Sequence, residues 1–345
     1  MSQKICKCLF CLSLLCTFLL SSCATSIDVK VVRPAELNLN GAKTIAVLPF
    51  KPSQFFITNR AFSTSEFILY SMFRIFDGAD PDERRCLEYL QSQLESGLSS
   101  SSYIKLVNSD AVSRALKNNT QNPADVYLTG EVTYFDIDDS FRKVKVKFRD
   151  AQDGHPAVYE IETRWKRQAR IDIRYQVIDS KTDHIIAYRN VSYSAETAEY
   201  TDRTNLPSAF YMLDSDLYSL SKKILREVQP YTVTKSIKLL STKSKIKMLK
   251  ELMKIANDTV DDGNLEDGYR QFRDIYDKYK LAEAGYNAAM IQQALGNLER
   301  AESELIDVQE KFPSDSRISK GLSDIRYEIR QAEVLKSQTK SANAN

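Results

Sequence analysis

The sequence predicts an α/β domain, a mixed sheet with flanking helices, followed by an all-α domain of helical repeats. Three observations carry this reading. Ile45, Ala46, Val47 and Leu48 form an unbroken apolar run stopped by Pro49, as in a strand buried on both faces. Ile171, Ile173, Tyr175 and Val177 alternate with Asp172, Arg174 and Gln176, as in a half-buried strand. Residues 263–279 return as residues 296–312 at a period of 33. The predicted divisions are 1–22 export signal, 23–40 lipidated N-terminus and linker, 41–230 α/β domain, 244–337 helical repeats and 338–345 disordered tail.

The chain has 345 residues, 43% hydrophobic and 27% charged, with a formal net charge of +2. That length suits two domains. The balance excludes a disordered or multi-span membrane protein, and near-neutrality argues against a nucleic-acid partner. Four of the six cysteines, Cys6, Cys8, Cys11 and Cys16, lie within the first 20 residues. Lys4 and Lys7 precede the apolar run 9–20, which is shorter than the roughly 20 residues a membrane-spanning helix needs and has the form of a secretory signal. The Cys8–Cys11 spacing is that of a redox or zinc half-site, but inside such a signal it is removed. Removing residues 1–22 brings the formal charge to zero and leaves Cys23 and Cys86.

Leu20-Ser21-Ser22-Cys23 resembles a bacterial lipobox. The resemblance implies cleavage before Cys23 and acylation there, with several chains together giving stable membrane anchoring. Ala24 is permissive for the outer membrane, so the expected location is that membrane's periplasmic side, with the inner membrane and the cell surface as alternatives.

Further along, a Phe-rich connection runs to about Phe76. Asp80, Pro81 and Glu83 form the start of a helix with a D-x-x-E capping box, and Leu87, Leu90, Leu94 and Leu98 form its apolar stripe. Strand 103–107, a helix from Asn108–Asp110 to about Lys117 and strand 125–132 follow. After the strand through Ile171–Val177, a turn at 179–183 leads to the partner strand 185–193, and a helix at about 207–228 covers one face of the sheet.

The order TIAVLPF (44–50), CLEYLQSQLESGL (86–98), YIKLVNSDAVSRAL (103–116), ADVYLTGEVTYFD (124–136) and RIDIRYQVIDSKTDHIIAYRNVSYSAE (170–196) resembles the CsgG-like and TolB-N-terminal-like (LpoB-related) lipoprotein domains of bacterial envelopes. The resemblance covers about residues 27–230. It implies either a pore-forming secretion lipoprotein or a periplasmic activator. A membrane hairpin needs roughly 9–11 residues per strand with every second one facing lipid. Val144, Val146 and Phe148 alternate with Lys143, Lys145 and Lys147 over too short a stretch, and residues 158–170 alternate poorly. The pair therefore reads as an exposed ribbon or an oligomer contact.

In the repeat, Gly263 aligns with Gly296, Gly268 with Ala301, Phe272 with Leu305, Ile275 with Val308 and Tyr279 with Phe312. This is similar to the tetratricopeptide (TPR) pattern, with Pro313 closing the second unit and Lys280 standing where the first would close. A helix at about 315–334 is expected to cap the stack, with the chain past Gln331 grading into a polar tail. By the register of such repeats, Met253, Asn257 and Val260, then Tyr286, Met290 and Gln293, would line a partner-binding groove.

No catalytic or metal site emerges. His155 and His184 sit in turns, Asp136, Asp138 and Asp139 read as a solvated strand end, and Cys86 reads as a small buried hydrophobe. The expectation is a non-enzymatic, lipid-anchored periplasmic adapter with no cofactor, binding envelope proteins. The alternative is an oligomeric ring component of a CsgG-like export or envelope-assembly system.

Overall fold

The computed structural model describes residues 25–53, 79–118, 120–149 and 156–343. The export signal, Cys23, His155 and most of the Phe-rich connection lie outside the described residues. The chain forms two compact units, one of residues 34–231 with 335–345 and one of residues 1–33 with 232–334.

The first unit is a mixed α/β sheet. Strands β2 (Thr44–Val47), β3 (Lys105–Val107), β4 (Val126–Arg149), β5 (Val158–Asp179) and β6 (Ile185–Glu196) are ordered β3-β2-β4-β5-β6. β2 runs parallel to both neighbours, and β4, β5 and β6 form an antiparallel meander. Both faces of β2 are buried, as its apolar run requires. Ile45 and Val47 join the large core shared with helices α1 (Pro81–Ser99) and α3 (Ala209–Val228), while Ala46 and Leu48 pack with Val112 of α2 (Ser109–Lys117) on the other side. Gly97 permits the close approach of α1 and α3, because a Cβ there would lie 2.3 Å from Leu225.

Asp80 caps α1 by accepting from the N–H groups of Asp82 and Glu83. Glu83 takes the returning backbone hydrogen bond from Asp80 that the capping box calls for, and it also accepts from the Ser53 N–H at 2.5 Å, so its carboxylate ties the chain after β2 to the helix. Cys86 is fully buried, as expected.

The sequence stopped β4 at residue 132, but the strand continues to Arg149. The acidic cluster therefore lies mid-strand rather than at a solvated end. Asp139, whose side chain is 8% exposed, accepts from Nε and Nη2 of Arg167 and from Arg203. Charge pairing, invisible in local sequence, lets the strand run on. The 23–40 linker is also corrected: residues 26–33 form β1, which pairs with β7 (Tyr231–Lys238) in the second unit. The disordered tail is corrected as well. Helix α8 (Ser316–Asn343) continues into it as far as Asn343, and Gln338 binds both the N–H and the C=O of Ala35.

The second unit adds helices α4 (Lys247–Asp261), α5 (Leu265–Tyr279), α6 (Ala282–Ala294) and α7 (Leu298–Lys311) before α8. They form two helical hairpins in register with the 33-residue period. Gly263 and Gly296 hold equivalent turns at φ +85° and +84°. Where the first hairpin has no proline, Lys280 ends α5 in the left-handed conformation. Phe272, Tyr276, Leu305 and Val308 share one core with Ile27 of β1 and with Ile237 and Leu239.

Candidate partner-binding site in the helical unit

The first helices of the two hairpins, α4 and α6, carry the predicted groove residues, and both lie against β1. Met253 and Val260 are 2% and 5% exposed and belong to the same apolar cluster as Ile27, Ile237 and Leu239. They are core residues, not open groove surface. The physical reason is that the chain's own β1–β7 ribbon brings apolar side chains to this face, and neither strand was anticipated as part of the helical domain. Asn257 is half-buried, and its Oδ1 has no hydrogen-bond partner.

The strongest fixture of the groove is a residue that the repeat register did not single out. Asn287 is fully buried on α6; its Oδ1 accepts from the Leu240 N–H at 2.6 Å and its Nδ2 donates to the Leu240 C=O at 3.0 Å. One side chain thus satisfies both polar groups of an extended peptide. A polar residue within the otherwise apolar run Ala288–Ile291 and its neighbours was the available signal.

A second anchor fixes the ribbon. Glu328 on α8 accepts both arms of Arg33, at 2.6 and 2.8 Å, and Lys235 Nζ at 2.6 Å. Burial alone would push this carboxyl upward, but the hydrogen bonds from Arg33 and Lys235 outweigh it and hold it below the usual carboxylate range.

The structure does bring Tyr286, Met290 and Gln293 together. They line a cavity of about 400 Å³ with Ile237, Lys238 and Leu240 on one side and Arg317, Lys320 and Asp324 on the other. Gly321 makes room for the Tyr286 ring, since a Cβ there would lie 2.7 Å from it. Burial, reinforced by Asp324, pushes the Tyr286 hydroxyl upward, so it remains a neutral donor. Gln293 is 7% exposed, and its Nε2 has no hydrogen-bond partner. Arg317 is held by Asp315 at 2.5 Å and by Glu283 at 3.3 Å. The cavity therefore has an apolar floor and basic side chains at its rim, with the unpartnered Gln293 amide nitrogen buried in its wall, a chemistry suited to a carbonyl or carboxylate oxygen on an extended chain.

No protein-family model matches the sequence, and no curated protein matches it. Solved structures do resemble it. The PelC dodecamer of Paraburkholderia phytofirmans is 14% identical, with 59% of this chain and 98% of that chain covered at a TM-score of 0.25. A minor lipoprotein of Acinetobacter baumannii is 11% identical, with 54% and 91% covered at a TM-score of 0.25. Lipoprotein GNA1162 of Neisseria meningitidis is 11% identical, with 52% and 98% covered at a TM-score of 0.23.

Proposed function

We propose that this chain is a non-enzymatic adapter of the bacterial envelope, lipid-anchored at Cys23 on the periplasmic side of the outer membrane. In this reading the α/β unit is CsgG-like, and the helical unit is TPR-like and holds an extended segment of an envelope protein. The anchor rests on the lipobox-like Leu20–Cys23 sequence, and the repeat assignment rests on the two glycine turns at equivalent positions. The observation that carries the binding role is the cavity lined by Tyr286, Met290 and Gln293, beside a peptide of the chain itself already gripped by Asn287. A groove that holds one extended segment by its backbone has the chemistry to hold another next to it.

Two experiments test this reading. Mass spectrometry of the N-terminal peptide is expected to find Cys23 as the first residue, carrying diacylglycerol; an unmodified Cys23 removes the anchor. A photocrosslinking side chain at position 286, read out in the native envelope, is expected to give a discrete protein adduct that Gln293→Ala weakens. The same group at exposed Glu310 is expected to give none. Equal adducts from both positions would overturn the groove assignment.

A further inference from the structure

The β4–β5 hairpin outruns its sheet. β6 pairs with β5 only as far as Gln168↔Glu196, and a last bridge joins Trp165 to Tyr200. Beyond that point Phe141–Arg149 and Val158–Arg164 pair, among the described residues, only with each other, forming a ribbon about 25–30 Å long.

The cross-strand register sorts its side chains. Phe141↔Trp165, Lys143↔Thr163, Lys145↔Ile161 and Lys147↔Tyr159 stand on one face. Phe141 is 60% exposed and Ile161 is 73% exposed, far more than ordinary for such residues in a two-stranded element. The rings of Phe141 and Trp165 lie 4.9 Å apart, and Lys145 Nζ sits 4.4 Å from the centre of the Tyr159 ring. On this face a row of lysines along β4 thus stands beside Tyr159, Ile161 and Trp165 along β5. Residues 140–149 and 156–166 hold seven Lys and Arg against two acidic residues, Glu160 and Glu162; Arg142 pairs with Glu199, Arg164 with Glu162 and Lys166 with Glu196.

We infer that this face docks on an anionic phospholipid surface. Its aromatic and isoleucine side chains enter the headgroup region while Lys143 and Lys145 meet lipid phosphates. Lysine stems reach along apolar surface to place their charge outward, so charge set beside apolar side chains, costly in a protein core, suits a membrane interface. Each cation near an anionic surface strengthens binding about fivefold. Lysine at every second position prevents the face from lying in hydrocarbon, so the ribbon rests on the membrane and does not span it. A second copy of the chain is the poorer occupant, because edge-to-edge pairing would set the β4 cations of two ribbons against each other. This inference is independent of the groove and of the anchor.

Trp165 is the chain's single tryptophan and reports on this face directly. The test uses the chain from residue 23 onward with Cys23→Ala, which retains every described residue and removes acylation. Vesicles containing phosphatidylglycerol are expected to shift Trp165 emission to the blue and to cosediment the protein, with release at high salt; pure phosphatidylcholine vesicles are expected to do neither. Lys143→Glu with Lys145→Glu, and separately Ile161→Asp, are expected to lower partitioning about tenfold or more with unchanged circular dichroism. Equal binding to both vesicle types, no binding, or variants that bind as tightly as the parent would overturn the proposal. So would light scattering showing a lipid-free oligomer that these variants dissociate, which would assign the face to a second copy.

Discussion

Asn287 holds the peptide of Leu240 at both of its polar ends, across 47 positions of sequence. Asn287→Ala leaves a buried N–H and a buried C=O unsatisfied, each worth about 1–3 kcal/mol. The expected loss is about 2–4 kcal/mol in urea-unfolding stability. A loss under about 0.5 kcal/mol would show that water replaces the amide.

The Glu328 carboxyl sits below its ordinary value of 4.5 in the folded protein. A depressed carboxylate contributes stability that is fully present above the unfolded value and is lost as pH falls through the folded one. The stability difference between the parent and Glu328→Gln is therefore expected to be largest near neutral pH and to shrink as pH falls through about 4 and below. Urea midpoints measured at a series of pH values check the sign; a difference that grows on acidification would refute it.

At Gly296 the backbone is left-handed and no atom lies within 4 Å of where a Cβ would stand. The cost of Gly296→Ala is then conformational alone, about 1–2 kcal/mol. Gly263, with the same geometry, is expected to respond equally. Thermal unfolding of the two single variants checks both, and unequal shifts would show that the repeats are not equivalent at this turn.

Burial, with Asp82, Glu83, Asp80 and Asp214 adding to it, pushes the Cys86 thiol up to about 12. The thiolate is the reactive form, so a thiol reagent is expected to leave native protein unlabelled at pH 8 and to label it fully in denaturant. Labelling of native protein within minutes would show that α1 opens locally.

Local signals carried much of the fold. The buried run Ile45–Leu48, the Asp80 cap, the alternation from Ile171 to Val177 and the glycines at 263 and 296 each report an element through its own residues. What stayed hidden depends on distant partners. The length of β4 depends on Arg167 and Arg203 neutralising Asp139, and the helical end of α8 on Gln338 reaching Ala35. Strand β7 alternates well enough to be read as a strand, but nothing local names β1 as its mate. The groove illustrates both cases. Register placed Tyr286, Met290 and Gln293 on one cavity wall, whereas Met253 and Val260 were misjudged because the residues that bury them lie elsewhere in the chain.

The pairing of β1 with β7 makes the helical unit discontinuous, with residues 34–231 inserted between its first strand and the remainder. During synthesis β1 leaves the ribosome first and waits for the whole α/β insert before its mate exists. Closing so long a loop is thermodynamically modest, since each doubling of length adds only about 0.6 kcal/mol, but long-range closure is slow. Cleavage near residue 231 would therefore not release an intact helical domain: the C-terminal fragment would lack Ile27 and the bidentate grip of Arg33 on Glu328. A permuted chain that carries residues 25–33 after the last helix is the form in which this unit should fold alone.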